Sequence, residues 1–355
     1  MKFDALIAQL QAAGLQAVVI PTCDGGKIVV TPHGARVLGL FTHEHADNAF
    51  WVNHELASAD SARKFLAGEH VLGGDRVWIA PERGLFFKGD KLSDGVVTQT
   101  SIDPGNWVVG KLTEKSIRLT NDFAATYFRV PGSRVRGIVE RSIRRICKPL
   151  PEKPEHVHYA GYEIASRFDL LEAPADDLNF GMWFLIQMVT PVGGYLYAPT
   201  AGKAVITGDY FEPTGPDYLK VTSTHVRFKL DSLERHKIGI RTNEVLGRAG
   251  FLSNAGAHGQ ATLVVRNFLN NPSARYSDVP LHTPEGTQDS IQSYNHNTGP
   301  TGFGELEFHT PGVCRKMAEP TVTDVNQVWV FTGKRADLVP IAVKLLNLPA
   351  KTFAE

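Results

Sequence analysis

Short apolar runs, broken by Gly, Pro, Asn and Asp, recur along most of this 355-residue chain. KIVVTP (27–32), ARVLGLF (35–41), AFWVN (49–53), RVWIAP (76–81), NWVVGKL (106–112) and SIRLTN (116–121) read as strands. So do YLKVTSTHVRFKL (218–230), ATLVVRNF (261–268), GELEFH (304–309) and QVWVFTG (327–333). Helical periodicity is scarce. Leu6, Leu10, Ala13 and Ala17 recur every three to four residues, which predicts a short amphipathic helix within residues 1–20. Residues 61–67 and 335–346 are the other helix candidates, and Pro340 is expected to interrupt the second. No fixed-period repeat points to a propeller or solenoid, and no Pro/Ser/Gly-rich linker divides the chain. The pattern predicts an all-β protein. A single large antiparallel domain spans 1–355, with 1–20 as an N-terminal helical extension.

The stretch RVRGIVERSIRRICK (134–148) fits both periods. Val135, Ile138, Val139, Ser142 and Ile146 would line a helix, whereas Val135, Gly137, Val139, Arg141, Ile143 and Arg145 would line a strand face. The β-branched residues and Gly137 favour the strand. Arg141 then shares a face with Val139 and Ile143 and needs a carboxylate, a ligand or an escape to water. The rarity of buried arginine favours snorkelling at a strand edge.

Composition narrows the function. Lys plus Arg and Asp plus Glu are each 37, so net charge is zero. This speaks against nucleic-acid binding by bulk charge and against a polybasic membrane-surface protein. No run approaches the ~18 apolar residues of a membrane helix. Asp4, Gln9 and Gln11 interrupt any signal-peptide core. The three cysteines, Cys23, Cys147 and Cys314, are odd in number, far apart and lack CxxC spacing, which disfavours a disulfide framework or a Cys-based zinc site. A cytoplasmic, reduced protein is the default expectation, with a secreted precursor trimmed before Met1 as the open alternative.

Two segments could carry chemistry. In GFGELEFHTPG (302–312), a strand places Glu305, Glu307 and His309 on one face, with Leu306 and Phe308 on the other. Adjacent carboxylates raise each other's pKa, and with an imidazole they could perform acid–base chemistry on a polyhydroxylated ligand. Spacing alone favours a solvated strand face. In GGDRVWIAPERG (73–84), Arg76 and Trp78 share a face near Glu82 and Arg83. An aromatic plate beside charged groups suits a sugar, and a core Trp with a surface ion pair fits the segment equally well. His43, His45 and His54 cluster within 41–54, but HEH lacks the spacing of HExxH and no third ligand is evident, so a solvent-exposed loop without metal is expected. Walker A, GxGxxG and GxSxG motifs are absent, so no nucleotide cofactor or serine nucleophile is indicated.

The ordered set GARVLGLF (34–41), NAFWVN (48–53), GGDRVWIAPERG, KIGI (237–240), SYNHNTGPTGFGELEFHTPG (293–312) and VWVFTG resembles the galactose mutarotase-like (aldose 1-epimerase-like) superfamily, in a poorly characterised branch. The resemblance covers about residues 25–335. It implies a β-supersandwich of large antiparallel sheets with a sugar cleft on a concave face, no cofactor, and a sugar or sugar-derived small molecule as partner. In that family a late-strand glutamate in L-E-x-Q takes the anomeric hydroxyl proton and a histidine protonates the ring oxygen. Leu306-Glu307-Phe308-His309 matches the segment, which implies Glu307 as base, Glu305 as its neighbour and His309 in place of the glutamine. The family's central H-x-Y-F-N segment is missing, and His225 is a substitute that no motif supports. Arg76, Trp78, Glu82, Arg141 and Lys237 are the candidate ligand-binding residues, although Lys237 on its own reads as a surface lysine. The resemblance implies aldose 1-epimerase-like conversion of a sugar, with non-catalytic sugar binding as the alternative.

Overall fold

The computed structural model describes residues 1–68, 71–89, 92–190, 192–208, 210–211, 213–278 and 288–354. Two large antiparallel sheets face each other. The first holds nine strands in the order Val18–Pro21, Lys27–Thr31, Arg36–Phe41, Asp75–Ala80, Gly181–Val189, Phe303–His309, Asp289–Asn295, His236–Arg241, Ile206–Thr207. The second holds ten, from Leu219–Val221 and His225–Leu230 at one edge to Ser116–Thr126 and Val108–Leu112 at the other. Strand alternation sends Val77, Ile79, Phe184, Ile186, Leu306, Phe308 and Ile238 inward, where they meet Ile143, Ile164, Phe168, Phe251 and Val330 of the second sheet.

Helices cover part of each outer face. Leu6 and Leu10 of the helix Phe3–Ala12 pack with Val29, Leu38 and Phe41, joined by Ala62 and Phe65 of the helix Ala59–Gly68. The N-terminal helix is shorter than periodicity suggests, because Val18–Pro21 already forms the edge strand of the first sheet. The helix Arg335–Leu346 runs unbroken through Pro340, contrary to expectation. Leu338, Ile341, Ala342, Leu345 and Leu346 bury against the second sheet, and this outweighs the one hydrogen bond that proline forfeits. Residues 49–53 form isolated bridges at Phe50 and Val52 and no regular strand. Among the described residues, no helix is long and apolar enough to cross a membrane.

Residues 134–145 do form a strand, but Arg141 does not snorkel. It is fully buried between the sheets, donating to the Ala35 carbonyl (2.6 Å) and lying 3.5 Å from Asp75 Oδ1. Arg266 reaches the other Asp75 oxygen at 3.3 Å, and Tyr162 OH donates to Asp75 at 2.7 Å. Asp75 thus ties the first sheet to three residues of the second. A carboxylate partner is what keeps this charged arginine in the core.

Candidate functional site

The cleft opens on the outer face of the nine-stranded sheet, in the part the helices leave uncovered. Register explains its composition. Trp78 stands opposite Trp183, Arg76 opposite Leu185, Glu305 opposite Gln187 and Tyr294, Glu307 opposite Leu185 and Gln292, and Lys237 opposite Tyr294. Residues directly opposed in antiparallel strands share a face, so five neighbouring strands deliver polar and aromatic side chains to one surface. The resulting cavity is about 380 Å³, lined by Arg76, Trp78, Glu82, Trp183, Gln187, Lys237 and Glu305 at its base, a size suited to a small ligand. Trp51, Phe211, Arg235, Tyr294, His296 and Phe303 form its rim.

The aromatic plates are fixed in place. Trp78 stacks on Phe86 at 4.4 Å and donates from Nε1 to Asp103 Oδ2 at 2.8 Å, and Asp103 is itself held by Arg36. Trp183 meets Trp78 edge-on at 5.5 Å. At the rim His296 stacks on Phe303 at 4.6 Å, and Trp51 packs beside the same ring at 4.7 Å.

Glu305 accepts hydrogen bonds at Oε1 from Gln187 (2.9 Å) and, at 3.4 Å, from Arg76, whose guanidinium lies over Trp78. Burial pushes its pKa up to about 7, with Arg76 pulling down and Glu307 pushing further up. Glu82 is likewise raised to about 7 by burial, against the pull of Lys237 and with Asp278 adding to the rise. Both carboxyls line the cleft, and their raised values lie near neutrality. Arg76 Nε and Nη1 and Gln187 Oε1 are buried with no hydrogen-bond partner among the described residues, leaving donors and an acceptor for a ligand.

Glu307 lies one layer deeper. It is fully buried and does not line the cleft; its Oε2 accepts from Trp183 Nε1 (2.8 Å) and lies 3.2 Å from Lys237 Nζ. Lys237 is buried too, where a surface lysine was expected from composition. Its ammonium sits 4.6 Å above the Trp183 ring and 3.9 Å from Glu82 Oε2. Burial acts to lower its pKa, but Glu307, Glu82, Asp278 and Glu305 overcome that and raise it, so it stays charged. His309 is sealed behind Trp183, stacked at 5.4 Å. Burial depresses its pKa to about 3 despite Glu307, so at neutral pH the ring is neutral and is not available as an imidazolium acid. The strand Phe303–His309 is buried throughout, not the solvated face that spacing favoured.

Arg141 belongs to the inter-sheet core and is absent from the cleft. His225 lies on a strand of the other sheet, hydrogen-bonded to Thr222 and Thr224. His43 packs on His158 at 4.1 Å, His45 donates its backbone N–H to His43, and only His54 of that cluster reaches the cleft rim. No group of three metal-ligating side chains occurs among the described residues.

Sequence reasoning missed Trp183, Gln187 and Asp278. The first two lie on GMWFLIQMV (181–189), which is nearly all buried and therefore shows no alternation; only its polar Gln187 amid apolar residues hints at a site. Asp278 lies outside any apolar pattern. It accepts from the Glu82 backbone N–H (2.7 Å) and from Gln292 (2.8 Å), and Gln292 also donates to Tyr210 OH (2.8 Å).

Tyr210 OH in turn donates to Asp289 (2.8 Å), whose pKa burial raises from 3.8 to about 7. A carboxyl with a raised folded-state pKa contributes its stability below the unfolded value and loses it as pH rises through the folded value. Asp289→Asn is therefore expected to gain stability relative to the unmodified protein as pH rises from about 4 to about 7. Urea midpoints across that range check this; a difference that stays constant with pH would contradict the raised pKa.

Two facing antiparallel sheets, with a polar and aromatic cleft on the outer face of one, define a β-sandwich protein. The chain belongs to a family of unknown function, DUF6786, whose model matches residues 2–355. Similar solved structures include a candidate aldose 1-epimerase from Escherichia coli K12, at 10% identity over 89% of this chain and 99% of that one, with a TM-score of 0.48. A galactose mutarotase related enzyme from Lactobacillus acidophilus matches at 10% identity, 89% and 97% coverage, and a TM-score of 0.44. An aldose epimerase homologue from C. elegans matches at 11% identity, 90% and 99% coverage, and a TM-score of 0.42. A search of curated proteins found no match.

Proposed function

We propose that the cleft binds a sugar or sugar-derived small molecule and interconverts its anomers by acid–base catalysis, with the whole chain acting as one domain. The observation that carries this reading is the pair of cleft-lining carboxyls, Glu305 and Glu82, each raised to about 7 beside the Trp78 and Trp183 plates. The indoles suit the apolar CH face of a pyranose, and the unpartnered Arg76 and Gln187 groups suit its hydroxyls. Glu305, stabilised as a carboxylate by Arg76 and Gln187, would take the anomeric hydroxyl proton. Glu82, as the carboxylic acid, would protonate the ring oxygen. The C1–O5 bond then breaks to give the open-chain aldehyde, and rotation about C1–C2 followed by reclosure gives the other anomer. This reading moves the base from Glu307, which the family resemblance favoured, to Glu305, because Glu307 does not line the cleft and its Oε2 is engaged by Lys237 and Trp183. Glu307 instead anchors the ammonium that faces the cleft.

A non-catalytic sugar-binding reading draws support from His309, which is neutral and sealed, so no imidazole acid stands beside Glu305. Saturation-transfer NMR on a panel of aldoses and uronic acids distinguishes the two. Anomer exchange faster than the uncatalysed rate, lowered in Glu82→Gln, is the expected result. Binding with exchange at the uncatalysed rate would leave a binding module, and neither binding nor exchange would remove the sugar reading.

A further inference from the structure

The cysteines, far apart in sequence, are not all far apart in space. Cys23 lies in the turn between Val18–Pro21 and Lys27–Thr31 of the first sheet, and Cys147 follows Arg134–Arg145 of the second. Both are exposed, and their side chains are close enough for each to act on the other. Contacts on both sides hold the two segments together. Arg145 Nη1 donates to the Pro21 carbonyl at 2.9 Å, and Lys153 Nζ lies 3.9 Å from Asp24 Oδ2. Tyr159 OH also donates to the Cys147 carbonyl at 3.1 Å, which pins the backbone that presents the thiol.

We propose that Cys23 and Cys147 are a modification site, forming a reversible disulfide that clamps the edge of the first sheet to the second. Disulfide geometry demands closely placed backbones, and the Arg145–Pro21 and Lys153–Asp24 contacts already hold the two cysteine-bearing segments side by side. The oxidant is a small-molecule disulfide. One protein thiolate attacks it, forming a mixed disulfide and releasing one small thiolate. The second protein thiolate then attacks the protein sulfur of that mixed disulfide. The Cys23–Cys147 bond forms, the second small thiolate leaves, and the two electrons lost by the protein reside on the two released thiols. Burial and the neighbouring Cys147 raise the Cys23 pKa, with Arg145 pulling the other way. Cys314 is only partly exposed and takes no part.

Incubation with oxidised glutathione, followed by thiol counting, intact mass and peptide mapping, tests the proposal. The unmodified protein is expected to lose two of its three thiols, to lose the mass of two hydrogens, and to yield one Cys23–Cys147 cross-linked peptide. Its melting temperature is expected to rise by ~3–6 °C, since the bond closes a long loop of the unfolded chain. Cys314→Ser is expected to behave identically, and Cys23→Ser to retain a glutathione adduct on Cys147. A persistent adduct on the unmodified protein without a cross-link, or a cross-link through Cys314, would overturn the proposal. The thiol readout requires no activity, so it stands apart from the sugar chemistry.

Discussion

Replacing Glu305 by Gln is expected to slow anomer exchange by ~10²–10⁴-fold, the usual contribution of a positioned acid–base group. The substitution is nearly isosteric. Its amide oxygen can still accept from Gln187 and Arg76, so the cleft should keep its shape and its ligand affinity. What disappears is a proton acceptor near neutrality, because an amide does not titrate there. The loss should therefore fall on kcat with KM little changed. Equal exchange rates in the variant and the unmodified protein would refute Glu305 as base. The same loss in Glu307→Gln, with Glu305→Gln unaffected, would return the role to the deeper carboxylate.

The largest expected effect on stability lies elsewhere, at Asp75. Its carboxylate is the shared anion for Arg141 and Arg266 and the acceptor for Tyr162 OH, and all four side chains are sealed between the sheets. Asp75→Ala would leave two guanidiniums buried without their counter-charge, a change that costs ~3–5 kcal/mol. Urea unfolding measures it as a fall in midpoint at constant slope. The cause is the orphaned charges rather than the lost contact itself. The triple replacement Asp75→Leu, Arg141→Met and Arg266→Met is thus expected to recover much of the loss, because a well-packed apolar group can replace a buried ion pair. A loss below about 1 kcal/mol in Asp75→Ala would mean that the arginines find other compensation.

The parts of the molecule that were legible in the sequence are those where one face of a strand differs from the other. ELEFH announces itself because Glu305, Glu307 and His309 alternate with Leu306 and Phe308, and Arg76 and Trp78 alternate with Val77 and Ile79. Alternation says that residues share a face and is silent on what that face meets. The carboxylates therefore read as solvated, when Trp183, Lys237 and the rim enclose them. Lys237 and Arg141 were misjudged for one reason: a lone cation is priced as exposed until its anions are known, and Glu307 and Asp75 come from distant strands. Gly181–Val189, apolar on both faces, carries no periodic signal at all, although it places Trp183 and Gln187 at the centre of the cleft.

Glu305, Glu82 and the Lys237 ammonium line the cleft, and Glu307 lies beneath Trp183, paired with Lys237. Mobile counterions shield exposed charges over ~8–10 Å at physiological ionic strength, but they shield buried pairs far less. The Glu307–Lys237 pair, both partners buried, therefore acts as a fixed source of field, to which dissolved salt has little access. Proton affinity of the cleft carboxyls is set largely by the fold, so the cleft should keep its acid–base character over a wide range of ionic strength.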